Sequence, residues 1–477
     1  MNTPRRIKQF SAALLITGLS VALPCQSESL LDIYELALEN DALLKSQEAQ
    51  YLANIEQENI ARSPLLPQVN VGYGYTDTVA KSTSQQILGF SQLGVPTVGE
   101  GFNKSDTETK GYDVSLSQTL FNLSAWFTYK SGQAFSQQAE AELEANTQDL
   151  IVRVVEAYFG VLRAQDNLSA AQAQERAFER QLEQSQQRFE VGLIAITDVY
   201  EAEAARDLSQ VQRIVEENNV AVAQERLSVL TGQSHGALFR LSGEFAVNAP
   251  EPTDRAAWVD FALENNARLA AARHAEESAR QGAKAGKAGH APTVTATYQY
   301  SDTETSGSRI ADPAPIFLVD PQSEQTRESI GVRVDWPLFS GGRISATRRQ
   351  SEQRYLTAKE SRINLQRSTV TAARSLHMTV VSDVSRVKAR QQAIKSTQSA
   401  LDATEAGYEV GTRNIVDVLN AQNKVFSAER DFSNSRYDFI INSLKLKQNA
   451  GTLSPEDISN LDNNLVAPPA PTASGAR

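Results

Sequence analysis

The chain contains the same segment twice, and this internal repeat constrains its fold more than any other feature. The residues FEVG at 189–192 recur as YEVG at 408–411, an offset of 219 positions. The same offset relates Gly232 to Gly451, so the register holds over more than forty residues. A register this long indicates duplication and predicts two tandem units of like structure. The predicted units are 28–250 and 251–460.

The offset changes within each unit, which locates the regions where the two copies differ in length. Upstream it is 225, as between Pro67 and Pro292, and later it is 218, as between Leu120 and Leu338. Surface loops absorb insertions that packed elements cannot. The sequence therefore predicts loops of unequal length, at 79–109 and 303–327.

The first residues have the pattern of a secretory signal peptide, predicted at 1–27. Three basic residues precede an apolar run from Phe10 to Leu23. Their removal takes the net charge from −11 to −14, which argues against a nucleic-acid partner. Cys25, the only cysteine, lies in this signal, so the mature chain would form no disulfide. Cys25 could instead accept a lipid, although the residues before it match a lipoprotein signal poorly.

The hydrophobic period within each unit changes from helical to alternating and back to helical. Residues 30–62 and 254–288 have helical spacing, and each stretch ends shortly before a proline. Alternation of apolar and polar residues then predicts two strands in each unit. The predicted strands are 67–78, 110–120, 292–303 and 328–338.

After its strands, each unit runs about 65 residues without proline to its Val-Gly segment, and a further helix returns. Val380, Val387, Ile394, Leu401 and Tyr408 share one heptad frame, which is typical of a coiled-coil seam; in the first unit only Glu175 breaks the matching frame. A helix of this length spans roughly 100 Å, so we predict a long rod. The predicted helices are 124–190, 196–231, 342–409 and 414–450.

The four strands pose a question about the membrane. Their tyrosine-rich apolar face suggests a transmembrane barrel with aromatic girdles. Four strands cannot close, however, and an open edge in lipid leaves backbone groups without partners. Two chains would supply eight strands around a filled bore, and three would supply twelve around a wider one. A soluble sheet with tyrosines in its core is the alternative.

Three long stretches resemble the TolC family of outer-membrane efflux proteins. They are 61–68 (ARSPLLPQ), 188–199 (RFEVGLIAITDV) and 408–419 (YEVGTRNIVDVL). The resemblance covers nearly all of 28–460. It implies a mainly α-helical chain with a membrane β-barrel. A homotrimer would form a 12-stranded outer-membrane barrel on a 12-helix coiled-coil tunnel that reaches into the periplasm.

The resemblance also implies the function and the partners. The family exports small molecules such as drugs, bile salts and metabolites, and in some cases protein toxins. It works with a periplasmic adaptor and an inner-membrane pump of the RND, ABC or MFS type. The expected surroundings are outer-membrane lipid, and no cofactor is implied.

Function in this family concentrates at the tunnel entrance, where links between neighbouring coiled coils hold the gate closed. The matching residues here are Thr197 and Asp198 on one hairpin, with Tyr408 and Arg413 on the other. Arg413 supplies donors, Asp198 accepts, and Tyr408 can donate its hydroxyl. The alternative makes Tyr408 a seam residue and Arg413 a solvated charge.

The resemblance places Asp417 in the pore at this entrance. Three copies would form a carboxylate ring that attracts cations. One turn later the family pattern has a second aspartate, but this chain has Asn420, which puts strong block by multivalent cations in doubt. Alternatively, Asp417 only favours the positive end of a helix dipole.

The two Val-Gly segments also suggest docking tips for the adaptor. The tip residues are Val191, Gly192, Leu193, Val410, Gly411 and Thr412. Ordinary turn chemistry explains the glycines equally well, since each follows a helix end.

Other functional classes have less support in the sequence. The four histidines show no paired metal-ligand spacing and are expected to be solvated helix residues, and no catalytic motif occurs. A trimeric adhesin would keep its strands together at the C-terminus, whereas here they form two pairs within the units. The Pro/Ala/Ser-rich end, 461–477, is predicted to be disordered.

Overall fold

The computed structural model describes residues 27–312 and 319–468. The apolar run and Cys25 of the predicted signal peptide, and residues 469–477 of the predicted tail, lie outside the described residues. Among the helices that are described, none has the length and apolar character needed to cross a membrane.

The described chain is mainly helical, with one four-stranded antiparallel sheet and one two-stranded sheet. The elements of the first repeat are α1 (Leu30–Asn40), α2 (Ala42–Arg62), β1 (Gln68–Phe90), β2 (Pro96–Asn122), α3 (Leu123–Glu190), α4 (Ile196–Thr231) and β3 (Arg240–Leu241). The elements of the second are α5 (Arg255–Asn265), α6 (Ala267–Ala288), β4 (Thr293–Asp312), β5 (Ser323–Asp335), α7 (Arg343–Glu409), α8 (Ile415–Ala450), α9 (Pro455–Asp462) and β6 (Leu465–Val466).

The larger sheet has the strand order β1-β2-β4-β5, so β1 and β5 are its two edges. Its pairing register puts Val71, Val114 and Tyr300 in one row across three strands. The row beside it, on the opposite face, consists of Asn70, Ser115 and Gln299. Because successive side chains alternate between faces, the sheet has one apolar and one polar face.

The two predicted loops are wrong over most of their length. Strand β1 continues to Phe90 and β2 begins at Pro96, so only a short turn remains of the loop predicted at 79–109. In the second repeat, β4 extends to Asp312 and β5 begins at Ser323. The apolar alternation stops before these extensions, and the prediction relied on it. Backbone pairing carries the strands further: β1 pairs with β2 up to the turn, and the end of β4 pairs with β2.

The helices predicted at 30–62 and 254–288 are each broken at one residue. Asp41 ends α1 and caps α2, with its Oδ1 accepting hydrogen bonds from the backbone N–H groups of Leu43 and Leu44 at 2.7 and 3.0 Å. Asn266 caps α6 in the same way, accepting from the N–H of Leu269 at 2.9 Å. Both breaks are therefore capped turns at equivalent positions of the repeat.

The main core lies where α1, α9 and the small sheet wrap around the middle of the long helices. Phe159 is fully buried there, with its ring 5.5 Å from that of Tyr437. The Tyr437 hydroxyl donates to Asp166 Oδ2 at 2.7 Å, and burial raises the pKa of Tyr437. This core also corrects the predicted disorder from residue 461, because Asp462 Oδ1 accepts from the backbone N–H of Leu30 and β6 pairs with β3.

Beyond this core the long helices form two antiparallel pairs, α3 with α4 and α7 with α8. Val380, Val387 and Leu401 of the heptad frame are buried. The exception in the first repeat, Glu175, faces α4, where Arg213 Nε lies 2.8 Å from its Oε2. An ion pair thus occupies the seam position that carries an apolar residue elsewhere.

Candidate functional site

The two helical pairs end in turns of the same geometry. Gly192 has φ 76° and Gly411 has φ 79°, in the left-handed region that favours glycine. The backbone N–H of Leu193 donates to Arg188 O at 2.9 Å, and that of Thr412 donates to Gly407 O at 2.9 Å. These are helix-ending bonds of the Schellman type. The turns thus satisfy the last carbonyl groups of α3 and α7.

The tip side chains point into solvent. The exposed fractions are 70% for Val191, 71% for Leu193 and 75% for Val410. Apolar side chains at the end of a helical pair gain nothing from such exposure, so they are available to a partner.

The two tips differ in how the following helix begins. Asn414 caps α8, because its Oδ1 accepts from the backbone N–H of Asp417 at 2.8 Å. Ala195, the equivalent residue in the first repeat, has no side chain that can cap α4. Thr412 adds a bond from its hydroxyl to Gly407 O at 3.0 Å. The second tip is therefore held by more bonds than the first.

Tyr408 lies between the two helical pairs. Its ring packs beside a small buried cluster of Phe178, Ile415 and Leu419. The Arg188 guanidinium carbon lies 5.0 Å from the ring centroid, within the range of a cation–π contact. The Tyr408 hydroxyl is buried and has no hydrogen-bond partner within the described part of the chain. Tyr408 is thus a seam residue with an unused donor.

Arg413 lies at the exposed end of the second pair. Its Nη1 is 3.8 Å from Asp417 Oδ2, and the Arg413 side chain is 61% exposed. Thr197 and Asp198 contact each other, with 3.5 Å between Thr197 Oγ1 and Asp198 Oδ1. No hydrogen bond or ion pair among the described residues joins this pair to Tyr408 or Arg413. One chain therefore brings Arg413 to Asp417 but does not join the predicted gate partners.

A polar groove of about 550 Å³ lies beside Tyr408, between α3 and the α7–α8 pair. Arg188 and Gln184 line it from α3, and Glu405 lines it from α7. Gln422 of α8 also lines the groove and donates to Glu405 Oε1 at 3.3 Å. Sequence reasoning missed these residues. The one available signal was Arg188, a cation immediately before the repeated tip segment.

Asn420 is exposed and Asp417 is half-buried, and the two lie one turn apart on α8. The N-terminal position of Asp417 is compatible with the helix-dipole alternative. Its contact with Arg413 ties the proposed ring residue to a proposed gate residue.

Two of the four histidines, all expected to be solvated, have buried side chains. The His235 side chain is buried, with its Nδ1 2.8 Å from Glu28 Oε2. His377 is also buried, and its Nε2 lies 3.2 Å from Thr253 O. Both help to fill the region around the main core. In the described ranges, no three His, Cys, Asp or Glu residues are grouped so that they could hold a metal ion.

Comparison with known proteins gives a consistent result. The chain matches the outer membrane efflux protein family over residues 33–233 and 258–452. It is 34% identical over 444 residues to the outer membrane protein TolC of Vibrio cholerae, covering 92% of this chain and 94% of the relative. It is 29% identical to the alkaline protease secretion protein AprF of Pseudomonas aeruginosa, covering 93% of this chain and 88% of that protein.

Solved structures share the fold. The outer membrane protein VceC of Vibrio cholerae superposes with a TM-score of 0.70 at 18% identity, covering 88% of this chain and 96% of that chain.

Proposed function

The chain belongs to the outer membrane efflux protein family, and on this premise we propose that three copies form a duct through the outer membrane. Proteins of this family are channels rather than enzymes, and they work with efflux pumps and adaptors. The protein is an outer-membrane efflux channel. The trimer, its gate and its cargo are the parts that we propose.

The open four-stranded sheet carries the proposal. Its apolar face is exposed, with exposed fractions of 74% for Val71, 74% for Tyr73 and 86% for Ile330. Lipid suits such a face, but it cannot satisfy the unpaired edges of β1 and β5. If β5 of one copy pairs with β1 of the next, three copies close a 12-stranded barrel around the polar face. Two copies would leave a bore that side chains fill.

Below the barrel, the helices continue the strands and supply the tunnel. Each copy contributes the α3–α4 and α7–α8 pairs, which gives twelve helices in a trimer. The 68 residues of α3 span roughly 100 Å at about 1.5 Å per residue. A tunnel of that length reaches well into the periplasm.

Two donor groups near the second tip support the proposed gate. In a ring of three copies, the tip with Tyr408 and Arg413 lies beside the neighbouring copy's tip with Thr197 and Asp198. The Tyr408 hydroxyl has no partner within the described chain, and the Arg413 fork is largely exposed. Bonds between copies would use the exposed Arg413 guanidinium directly. Tyr408 would first have to turn, because its hydroxyl is buried within one chain; together the bonds would hold the entrance closed.

The direct test is planar-bilayer conductance of the purified full-length protein. We expect trimer-dependent channels that prefer cations, because three Asp417 carboxylates would ring the entrance. Asp417→Ala should weaken the cation preference, and Asn420→Asp should strengthen block by trivalent cations. If the trimer inserted well into the bilayer but conducted no ions, even when it carried the substitutions that should open the gate, the proposal of a duct would be wrong. If Asp417→Ala left the reversal potential unchanged, Asp417 would not line the pore.

We also propose that the tips dock a periplasmic adaptor end to end, through Val191, Gly192, Leu193, Val410, Gly411 and Thr412. Proteins are a second proposed class of cargo beside small molecules, since the relative AprF is named for the secretion of a protease. The pump attached to the adaptor would select the cargo.

Charged substitutions at the tips should separate docking from conduction. Leu193→Asp with Val410→Asp should make cells sensitive to exported compounds while trimer level and bilayer conductance stay normal. The matched control is Leu93→Asp, because Leu93 is equally apolar and 91% exposed but lies in the turn at the far end of the sheet. Normal export by the double variant would exclude the tips as the docking surface.

A further inference from the structure

Positive charge accumulates beside the sheet in the second repeat only. We define the basic collar as residues 280–290 and 343–354, the last turns of α6 and the first turns of α7. The collar contains seven Lys and Arg residues and one acidic residue, Glu352. The basic residues are Arg280, Lys284, Lys287, Arg343, Arg348, Arg349 and Arg354.

The first repeat provides an internal comparison. The equivalent segments, 55–65 and 124–135, carry two acidic and two basic residues, and so no net charge. Both repeats place these segments at the same junction between sheet and helices. The first repeat thus builds the same junction without an excess of positive charge, so the architecture alone does not account for the collar in a chain with a net charge of −11.

The collar is largely free of internal neutralisation. Arg280 pairs with Glu277 at 2.5 Å. The other six basic residues form no ion pair with any residue in 27–312 or 319–468. Their charges are available to an external anion.

A cavity of about 760 Å³ lies at the collar, bounded by the ends of α6 and β5 and the start of α7. Arg343 and Arg354 line it, together with Trp336 and one acidic residue, Asp335. The Trp336 indole donates to His290 O at 3.2 Å while 64% of the residue stays exposed. A tryptophan held by its N–H with an exposed ring suits the boundary between lipid and water.

Apolar surface continues directly from this cavity. Leu338 is 77% exposed and Phe339 is 88% exposed. Trp336 continues the alternation of Val332 and Val334 on the apolar face of the sheet. The cavity therefore combines a cationic lining with an apolar surface at the end of the membrane-facing sheet.

We propose that this cavity binds an anionic phospholipid, with the phosphate at Arg343, Arg354 adding positive charge to the same cavity, and an acyl chain across Trp336, Leu338 and Phe339. Guanidinium groups match the oxygens of a phosphate. The inference rests on the proposed membrane orientation, in which the helical end of the sheet meets the periplasmic leaflet. Basic clusters beside membrane segments recognise anionic lipids in the same way.

The test uses lipids with brominated acyl chains, which quench nearby tryptophan fluorescence. Each chain has three tryptophans, and Trp336 is kept alone by Trp126→Phe and Trp258→Phe. Brominated phosphatidylglycerol in phosphatidylethanolamine vesicles should reach half-quenching at about a tenfold lower mole fraction than brominated phosphatidylcholine, a difference of about 1.4 kcal/mol. Trp258 kept alone is buried in the main core and should be quenched by neither lipid.

Two sets of variants decide the outcome. Arg343→Gln with Arg354→Gln should abolish the preference at Trp336, and a preference that persists would overturn the proposal. The control, Arg226→Gln with Arg367→Gln, removes the same amount of charge from helical surface outside the collar. This control should retain the lipid preference at Trp336. Inorganic phosphate should weaken the preference more than chloride at equal ionic strength, because it competes for the same guanidinium groups; equal weakening would show charge screening alone and would overturn the site.

Conductance on the same samples separates this inference from the proposed function. Channels that conduct normally without any lipid preference at Trp336 would refute the lipid site alone. If Trp336 were quenched by no brominated lipid and no channel formed, the membrane orientation itself would be wrong.

Discussion

Removal of the proposed gate bonds should open the channel. We expect Arg413→Ser with Tyr408→Phe to raise single-channel conductance several-fold. Each trimer would lose six links, and even at about 0.5 kcal/mol each the closed state would lose about 3 kcal/mol. A shift of that size changes the closed-to-open ratio by more than about 100-fold. Single-channel recording in planar bilayers measures the effect directly.

The contact between Arg413 and Asp417 gives this prediction a second readout. Arg413 Nη1 lies 3.8 Å from Asp417 Oδ2, so its loss leaves the carboxylate without a nearby cation. Cation preference should therefore rise together with conductance in Arg413→Ser. Tyr408→Phe alone should raise conductance without changing the preference, because it removes no charge.

The repeat supplies the matched control for the gate variant. Phe189 and Ile194 occupy, in the first repeat, the positions of Tyr408 and Arg413. Phe189→Leu with Ile194→Ser changes the first tip by a similar amount but removes no polar link. Its conductance should stay near that of the parent protein. If both double variants conducted equally well, general loosening of the tips would explain the opening, and the proposed bonds would not.

The long helices could be predicted from the sequence because several local signals indicate the same residues. All four begin and end within one residue of the predicted bounds. Absence of proline, a heptad frame and a glycine shortly after the C-terminal end of each helix all indicate the same elements. The breaks at Asp41 and Asn266 were missed, since a single capping residue within an Ala- and Glu-rich stretch changes the hydrophobic pattern very little.

The strand ends and the candidate site were harder to predict from the sequence, each for a physical reason. Strands β1 and β2 extend beyond the apolar alternation, because cross-strand backbone bonds need no particular side chains. At the tips, the sequence indicated Tyr408 and Arg413 but not the stacking of Arg188, which depends on how α3 packs against the second helical pair. Bonds between copies cannot be derived from one chain at all.

The largest effect on stability is expected at a glycine where the two repeats differ. Gly451 ends α8 with φ 69°, and Gly232 ends α4 with φ 74°. A Cβ atom on Gly451 would lie 2.1 Å from Asn265 O, whereas one on Gly232 would meet nothing within 4 Å. Asn265 is the last residue of α5, and its backbone is fixed by the capped break at Asn266. The backbone at Gly451 cannot move away without disturbing that break.

Gly451→Ala should therefore destabilise the protein far more than Gly232→Ala. Both variants carry the cost of a side chain in the left-handed region, roughly 1–2 kcal/mol. Gly451→Ala adds overpacking against a backbone carbonyl, for a total of about 2–5 kcal/mol. The midpoint temperature at which the trimer dissociates in a heating series, read on gels, should fall at least twice as far for Gly451→Ala. Equal shifts would mean that α5 yields easily, and that the contact between α5 and the end of α8 does not hold the middle of the molecule together.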